Sequence, residues 1–219
     1  MQTPLNEFAS EVKLNQEEVK KLLETYEKYK PVIKAFLVQA KSREDEHLAT
    51  ELMFCLQTSQ SPAKFARNTV NKLKALGKLM TASEDEIFAA MEGVRFSDKK
   101  SKYLFDARAK LPEIKSKLSL PKEELREWLF ENIKGMGMKL ASHYMRNIGI
   151  FGLAILDIHV QNFMARNGVL KGEVAKLNKK QYLENERIFL QMAKQIGIPP
   201  EELDIAIWMV GNGTGEFYG

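Results

Sequence analysis

Residues 121–149 read Pro-Lys-Glu-Glu-Leu-Arg-Glu-Trp-Leu-Phe-Glu-Asn-Ile-Lys-Gly-Met-Gly-Met-Lys-Leu-Ala-Ser-His-Tyr-Met-Arg-Asn-Ile-Gly, and their spacing predicts two helices joined by a tight turn. Pro121 suits the start of a helix and Glu123 and Glu124 enrich its first turn in acid, where the helix dipole favours negative charge. Leu125, Trp128, Leu129 and Ile133 form the buried stripe, and Gly135 stops the run. A second helix starts near Met138 and turns Leu140, Ala141, Tyr144, Met145 and Ile148 inward. Between them lies Gly135-Met136-Gly137, whose glycines permit positive φ and close backbone approach, while Met136 plugs the apolar interior of the pair. The amides that open the second helix have no intrahelical acceptor, so the turn offers a small anion-binding surface. A backbone phosphate fits it without any reading of sequence.

Outward from this hairpin the apolar spacing stays helical and the boundaries carry helix-cap chemistry, which predicts an all-α protein. Asn15 with Glu18 reads as a cap before Val19, Leu22, Leu23 and Tyr26. Ser42 is expected to cap a helix through Leu48, Leu52 and Leu56. Ser61-Pro62 starts another, with Phe65, Val70, Leu73 and Leu76 inward and Gly77 at its end. Ser83-x-x-Glu86 repeats the pattern. Further helices are expected after Ser97 and over residues 138–148, 158–167, 179–196 and 200–210. No alternating β-branched runs between Asn-Gly or Asp-Gly turns are present, so strand content should be minor.

Composition removes several function classes. With 219 residues, 44% of them apolar, the chain can bury a core as one domain or two small lobes. Lys plus Arg exceed Asp plus Glu by 33 to 29, a net charge of +4 that favours a polyanion only weakly. The apolar run Ile148 to Leu156 spans nine residues, against roughly 20 for a membrane crossing. The first residues lack a basic segment followed by an apolar one, so a cytoplasmic location is expected. One cysteine, Cys55, excludes an intrachain disulfide or a four-cysteine cluster, and three histidines without a His-Glu-x-x-His pattern argue against a metal site. Cys55, among Leu52, Met53, Phe54 and Leu56, is assigned to the core, as is Trp128.

Two residues carry the candidate chemistry. Lys139 falls in the first turn of the second hairpin helix, where the dipole disfavours an ammonium and lowers the lysine pKa. That suits a neutral amine nucleophile. His143 and Arg146 follow at i+4 and i+7, placing further polar groups on the same face. Eighteen residues after Lys139, the segment Phe151-Gly152-Leu153-Ala154-Ile155-Leu156 ends in Asp157, well placed to cap the next helix.

A Gly-hydrophobe-Gly hairpin with a lysine opening its second helix, followed by an Asp at the end of a Gly-containing apolar segment and then His159, resembles the lysine-bearing branch of the helix-hairpin-helix DNA glycosylases. Within it, the sequence is most similar to the archaeal-type 8-oxoguanine DNA glycosylases, the second family of such enzymes. The resemblance covers most of the chain and is most specific from Gly135 to Arg166; the single cysteine fits, since related branches carry a four-cysteine cluster. It implies two helical lobes, one approximately 45–130 and the other from the N- and C-terminal segments, with hairpin 121–148 and an active site in the cleft between them. The partner implied is double-stranded DNA containing an oxidised base, bound by a monomer with no cofactor or metal.

The same resemblance implies roles. Lys139 would attack C1′ of a flipped nucleotide and Asp157 would stabilise the cationic sugar, giving a Schiff base and strand cleavage by β-elimination. Gln60, in Cys55-Leu56-Gln57-Thr58-Ser59-Gln60-Ser61, would fill the hole left by the flipped base. Trp208 and, secondarily, Phe96 would stack on the base, with His143 at the substrate. Gly135, Gly137, Lys134 and Arg146 would hold the DNA backbone. The basic run Arg95, Lys99, Lys100, Lys102 and Arg108 reads mainly as a solvated helix face, with one or two members reaching phosphates. The ending Gly211-Asn212-Gly213-Thr214-Gly215-Glu216-Phe217-Tyr218-Gly219 departs from relatives that end in lysine, which bears on base selectivity. A glycosylase for another damaged base and a non-catalytic helix-hairpin-helix DNA-binding module are the alternatives.

Overall fold

The structure is a computed structural model in which residues 12–212 are described; the tail segment 213–219 discussed above lies outside them. All regular structure among the described residues is helical: α1 (Gln16–Gln39), α2 (Asp45–Gln57), α3 (Ala63–Ala75), α4 (Glu84–Ala90), α5 (Ser97–Ala109), α6 (Leu111–Lys117), α7 (Lys122–Asn132), α8 (Met138–Asn147), α9 (Ile158–Arg166), α10 (Lys179–Ile196) and α11 (Pro200–Asn212). No helix among them is long and apolar enough to cross a membrane.

Cap chemistry fixes several boundaries. Asn15 accepts from the Glu17 and Glu18 amides, and Ser83 with Glu86 forms a reciprocal capping box at α4. A second box, Asn178 with Gln181, starts α10, which ends on Gly197 in the left-handed conformation. One expectation needs correction. Ser42 does not cap α2: its hydroxyl accepts from the Glu44 amide at 3.4 Å and the helix begins at Asp45, three residues later, with Glu44 as its N-cap. From Ser97 onward the chain forms two helices, turning at Lys110 and restarting with Pro112 in the first turn of α6.

Buried side chains fall into two apolar clusters. The larger joins α2 through α8 around Leu52, Phe54, Leu104, Leu129 and Tyr144, and includes Cys55; Trp128 is partly buried against it. The second joins α1, α9, α10 and α11 around Ile33, Phe163, Phe189 and Leu203. Two segments belong to both: Leu140 and Leu153 pack in the first cluster, and Met138, Ala154 and Leu156 in the second. The seam between clusters therefore runs through the start of α8 and the strand-like approach to α9.

Buried ions cross this seam. Arg126 of α7 meets Glu186 of α10 through two bonds of 2.5 and 2.8 Å. Arg126 Nη1 also donates to Ser142 Oγ at 3.3 Å, and Glu186 Oε1 accepts from the Ala154 amide at 2.9 Å. Planar, bidentate geometry with further bonds to each partner is what makes a desolvated ion pair tolerable. On the outer side of the second cluster, Tyr26 of α1 donates to Glu202 of α11 at 2.6 Å.

Candidate active site

Where the seam reaches the surface it opens into a cleft of about 980 Å³ lined by residues from both clusters, at the upper end of the volume range for ligand pockets, roughly 300–1,000 Å³. The hairpin sits at its edge. Gly135 takes φ +83°, and a Cβ there would stand 2.6 Å from the Tyr103 ring, so both conformation and space demand glycine. Met136 is buried beneath the turn. Gly137, the N-cap of α8, has extended φ −79° and ψ 173°, and a Cβ added there would meet nothing within 4 Å. The protein itself leaves that space open. Lys134 is exposed, with its ammonium 5.4 Å from the Tyr103 ring centre.

Lys139, second residue of α8, points its chemistry into this cleft. Burial holds its amine below the ordinary lysine range; Asp157, Cys55 and Asp204 oppose that shift, and the Arg146 cation adds to it. Among the described residues Lys139 has no ion pair and no hydrogen bond, so its nitrogen is not committed to a structural role.

Asp157 lines the same cleft as the N-cap of α9, its Oδ1 accepting from the Val160 amide at 2.8 Å. The approach to it is pinned at several points. Tyr182 donates to Ala154 O at 2.7 Å and accepts from the Leu156 amide at 3.4 Å. Gln161 Nε2 donates to Leu156 O at 2.7 Å, and Glu186 holds the Ala154 amide. Capping uses Oδ1 and leaves Oδ2 for a ligand.

His143, one turn beyond Lys139, also lines the cleft, with its ring edge-on to Phe54 at 5.8 Å. Its Nδ1 is buried without a hydrogen-bond partner. Burial, with Arg146, Lys139 and Arg67 nearby, pushes its pKa well below the usual value, so the ring is neutral. On the opposite wall Trp208 stands edge-on to His159, centres 6.3 Å apart. Gln60 is exposed at the mouth with φ +55°.

Two sequence-based placements take a different form. Arg146 lines the cleft but is only 6% exposed, 3.8 Å from Asp204 of α11 and 5.4 Å from the Phe36 ring, so it sits as a largely covered cation in the cleft wall. Phe96 does not line the cleft; it is the N-cap of α5, left-handed at φ +58° and 55% exposed.

The sequence reading also passed over Asp204. It is 5% exposed, lines the cleft one helical turn before Trp208, and burial raises its pKa to about 7 despite the Arg146 cation. An acid inside Leu203-Asp204-Ile205-Ala206-Ile207, an otherwise apolar run, was the available signal.

An all-helical, two-cluster chain whose hairpin presents a desolvated lysine opposite a capping aspartate has the fold and cleft of a helix-hairpin-helix DNA glycosylase. Comparison with known proteins narrows this. The sequence pattern of the 8-oxoguanine DNA glycosylase family matches residues 29–198, and the chain belongs to that family. An 8-oxoguanine DNA glycosylase/AP lyase of Korarchaeum cryptofilum is 34% identical over 178 residues, 79% of this chain and 84% of the relative. Among solved structures, the 8-oxoguanine DNA glycosylase of Thermotoga maritima superposes with a TM-score of 0.81 at 30% identity, covering 92% of this chain and 99% of that one. The Methanocaldococcus jannaschii 8-oxoguanine glycosylase/lyase in complex with a 15mer DNA containing 8-oxoguanine superposes with a TM-score of 0.80 at 26% identity, covering 92% and 100%.

Proposed function

We propose that the protein removes 8-oxoguanine from duplex DNA and then cuts the strand at the abasic sugar, using Lys139 as nucleophile. The observation that carries this reading is a desolvated lysine at a helix N-terminus sharing one cleft with Asp157. Base-sized space beside Trp208 and an open anion surface at Gly137 supply room for an everted nucleotide and its phosphate.

The steps follow from these groups. Extrusion costs a few kcal/mol, offset by Gln60 entering the stack and by Trp208 taking the face of the base. The neutral Lys139 amine attacks C1′ as the bond to the base breaks and the base leaves with a proton. The Asp157 carboxylate stabilises the positive charge that develops on the sugar. Loss of a proton from nitrogen and ring opening yield an iminium between Lys139 and C1′. That electron sink acidifies C2′, whose proton is removed while the C3′–O bond breaks, releasing the 3′ strand. Gly135, Gly137 and Lys134 hold the backbone, and neutral His143 offers a ring nitrogen to the substrate. One chain supplies every group, so the enzyme acts as a monomer on chromosomal DNA.

Borohydride reduction during turnover of an 8-oxoguanine duplex tests this. A covalent protein–DNA adduct that disappears in Lys139→Gln is expected, and parallel duplexes carrying an oxidised pyrimidine or an alkylated purine define the lesion. No adduct with any of them refutes the lysine chemistry.

A further inference from the structure

Within the basic run of α5, Lys99 and Lys102 are exposed while Lys100 is 7% exposed. Its ammonium donates to Gln57 O at 2.8 Å, Ser59 O at 2.6 Å and Ser61 Oγ at 3.1 Å. A lysine ammonium has three protons, and each has an acceptor. All three acceptors lie in or beside the short connection between α2 and α3. Ser61 Oγ accepts in addition from the Arg95 amide at 2.9 Å, tying this connection to the residue before Phe96.

The connection needs an external constraint. Gln60 is left-handed at φ +55°, a conformation that a side chain bearing Cβ keeps only where its surroundings impose it. Lys100 grips the residue on each side of it. Burial without a facing carboxylate pushes Lys100 down to about 8, so the third proton is still present at neutral pH, and a neutral amide in its place could not serve three acceptors.

We infer that Lys100 is a positioning residue for base extrusion: its hydrogen bonds to residues 57, 59 and 61 set the loop that holds Gln60 in the lining of the cleft. This rests on the glycosylase reading above and on Gln60 as the residue that enters the stack.

Two single-turnover substrates separate this role from general damage. In Lys100→Met, release of 8-oxoguanine paired with cytosine is expected to slow by about tenfold or more, since stacking and pairing must be broken. Cleavage of a duplex with a preformed abasic site, which has no base to extrude, should stay within about twofold of wild type on the same scale. The double variant Gln60→Ala/Lys100→Met should lose no more on the paired base than Gln60→Ala alone. In a Lys139→Gln background, a 2-aminopurine beside the lesion should lose most of its fluorescence rise when Lys100→Met is added. Ser61→Ala, which deletes one acceptor, should show the same split with a smaller loss and serves if Lys100→Met does not fold. Equal losses on both substrates, or an unchanged paired-base rate in both variants, overturn the role of Lys100. Wild-type protein that neither releases the base nor is trapped on it refutes the enzymatic reading instead.

Discussion

Arg146 Nη1 lies 3.8 Å from Asp204 Oδ1, too far for the charge-assisted hydrogen bond of about 2.7–2.9 Å that makes such pairs strong. Both side chains are nonetheless buried at the back of the cleft, so the attraction does not offset the desolvation of the carboxylate, and Asp204 titrates near 7.

A pH dependence of stability follows. The Asp204 pKa is raised from 3.8 to about 7 on folding, so the folded state binds the proton more tightly. The associated stabilisation is complete below the unfolded value and is lost as pH rises through 7. Asp204→Asn removes that loss. Its melting temperature relative to wild type should therefore be higher at pH 8 than at pH 5, by an amount corresponding to a few kcal/mol at most; a pH-independent difference contradicts the assignment.

The rate profile carries a second signature. Burial lowers the Lys139 pKa and Asp204 opposes the shift. In the proposed mechanism only the neutral amine attacks, so base release is expected to rise with pH through the folded Lys139 value. Taking away the opposing charge in Asp204→Asn should move this rising limb to lower pH, whatever it does to the plateau, as read by single-turnover kinetics across pH.

The two hairpin glycines should separate stability from binding. Gly135→Ala forces a side chain into a left-handed residue 2.6 Å from Tyr103 and is expected to cost about 1–3 kcal/mol in chemical denaturation. Gly137→Ala meets nothing and should change stability by less than about 1 kcal/mol, yet weaken binding to undamaged duplex by occupying the space a phosphate would enter.

Lys134 is exposed at the turn. Its replacement by Ala should weaken binding uniformly across sequences and reduce the slope of log affinity against log salt by about 1, measured by fluorescence anisotropy from low to physiological salt.

Arg126→Met strands Glu186 without its bidentate partner inside the seam. The expected loss is about 3–5 kcal/mol, and because Glu186 also holds the Ala154 amide, activity should fall further than the folded fraction does.

The features legible in the sequence were those set by neighbours along the chain. Glycines two apart, Asn15 with the amides after it, Ser83 with Glu86, and Asp157 ahead of an apolar helix all act within one turn, and spacing alone exposes them. What escaped was set by chain far away. Arg146 looks like a surface cation on α8 until α11 delivers Asp204 and α1 delivers Phe36. Lys100 sits in a charged run and is buried only because three acceptors some 40 residues earlier fold over it. Phe96 is turned out by a left-handed backbone that no residue type there announces. Charge pattern identifies a polar face; it does not say which polar face another helix will cover.

Met138 and Leu140, the residues on either side of Lys139, are anchored in different apolar clusters. Swinging the lobes apart as rigid bodies would have to pull one of them loose. Lys139 thus stands on a fixed post, and in the proposed reaction the work of distortion falls on the duplex, which must buckle to bring its sugar within reach.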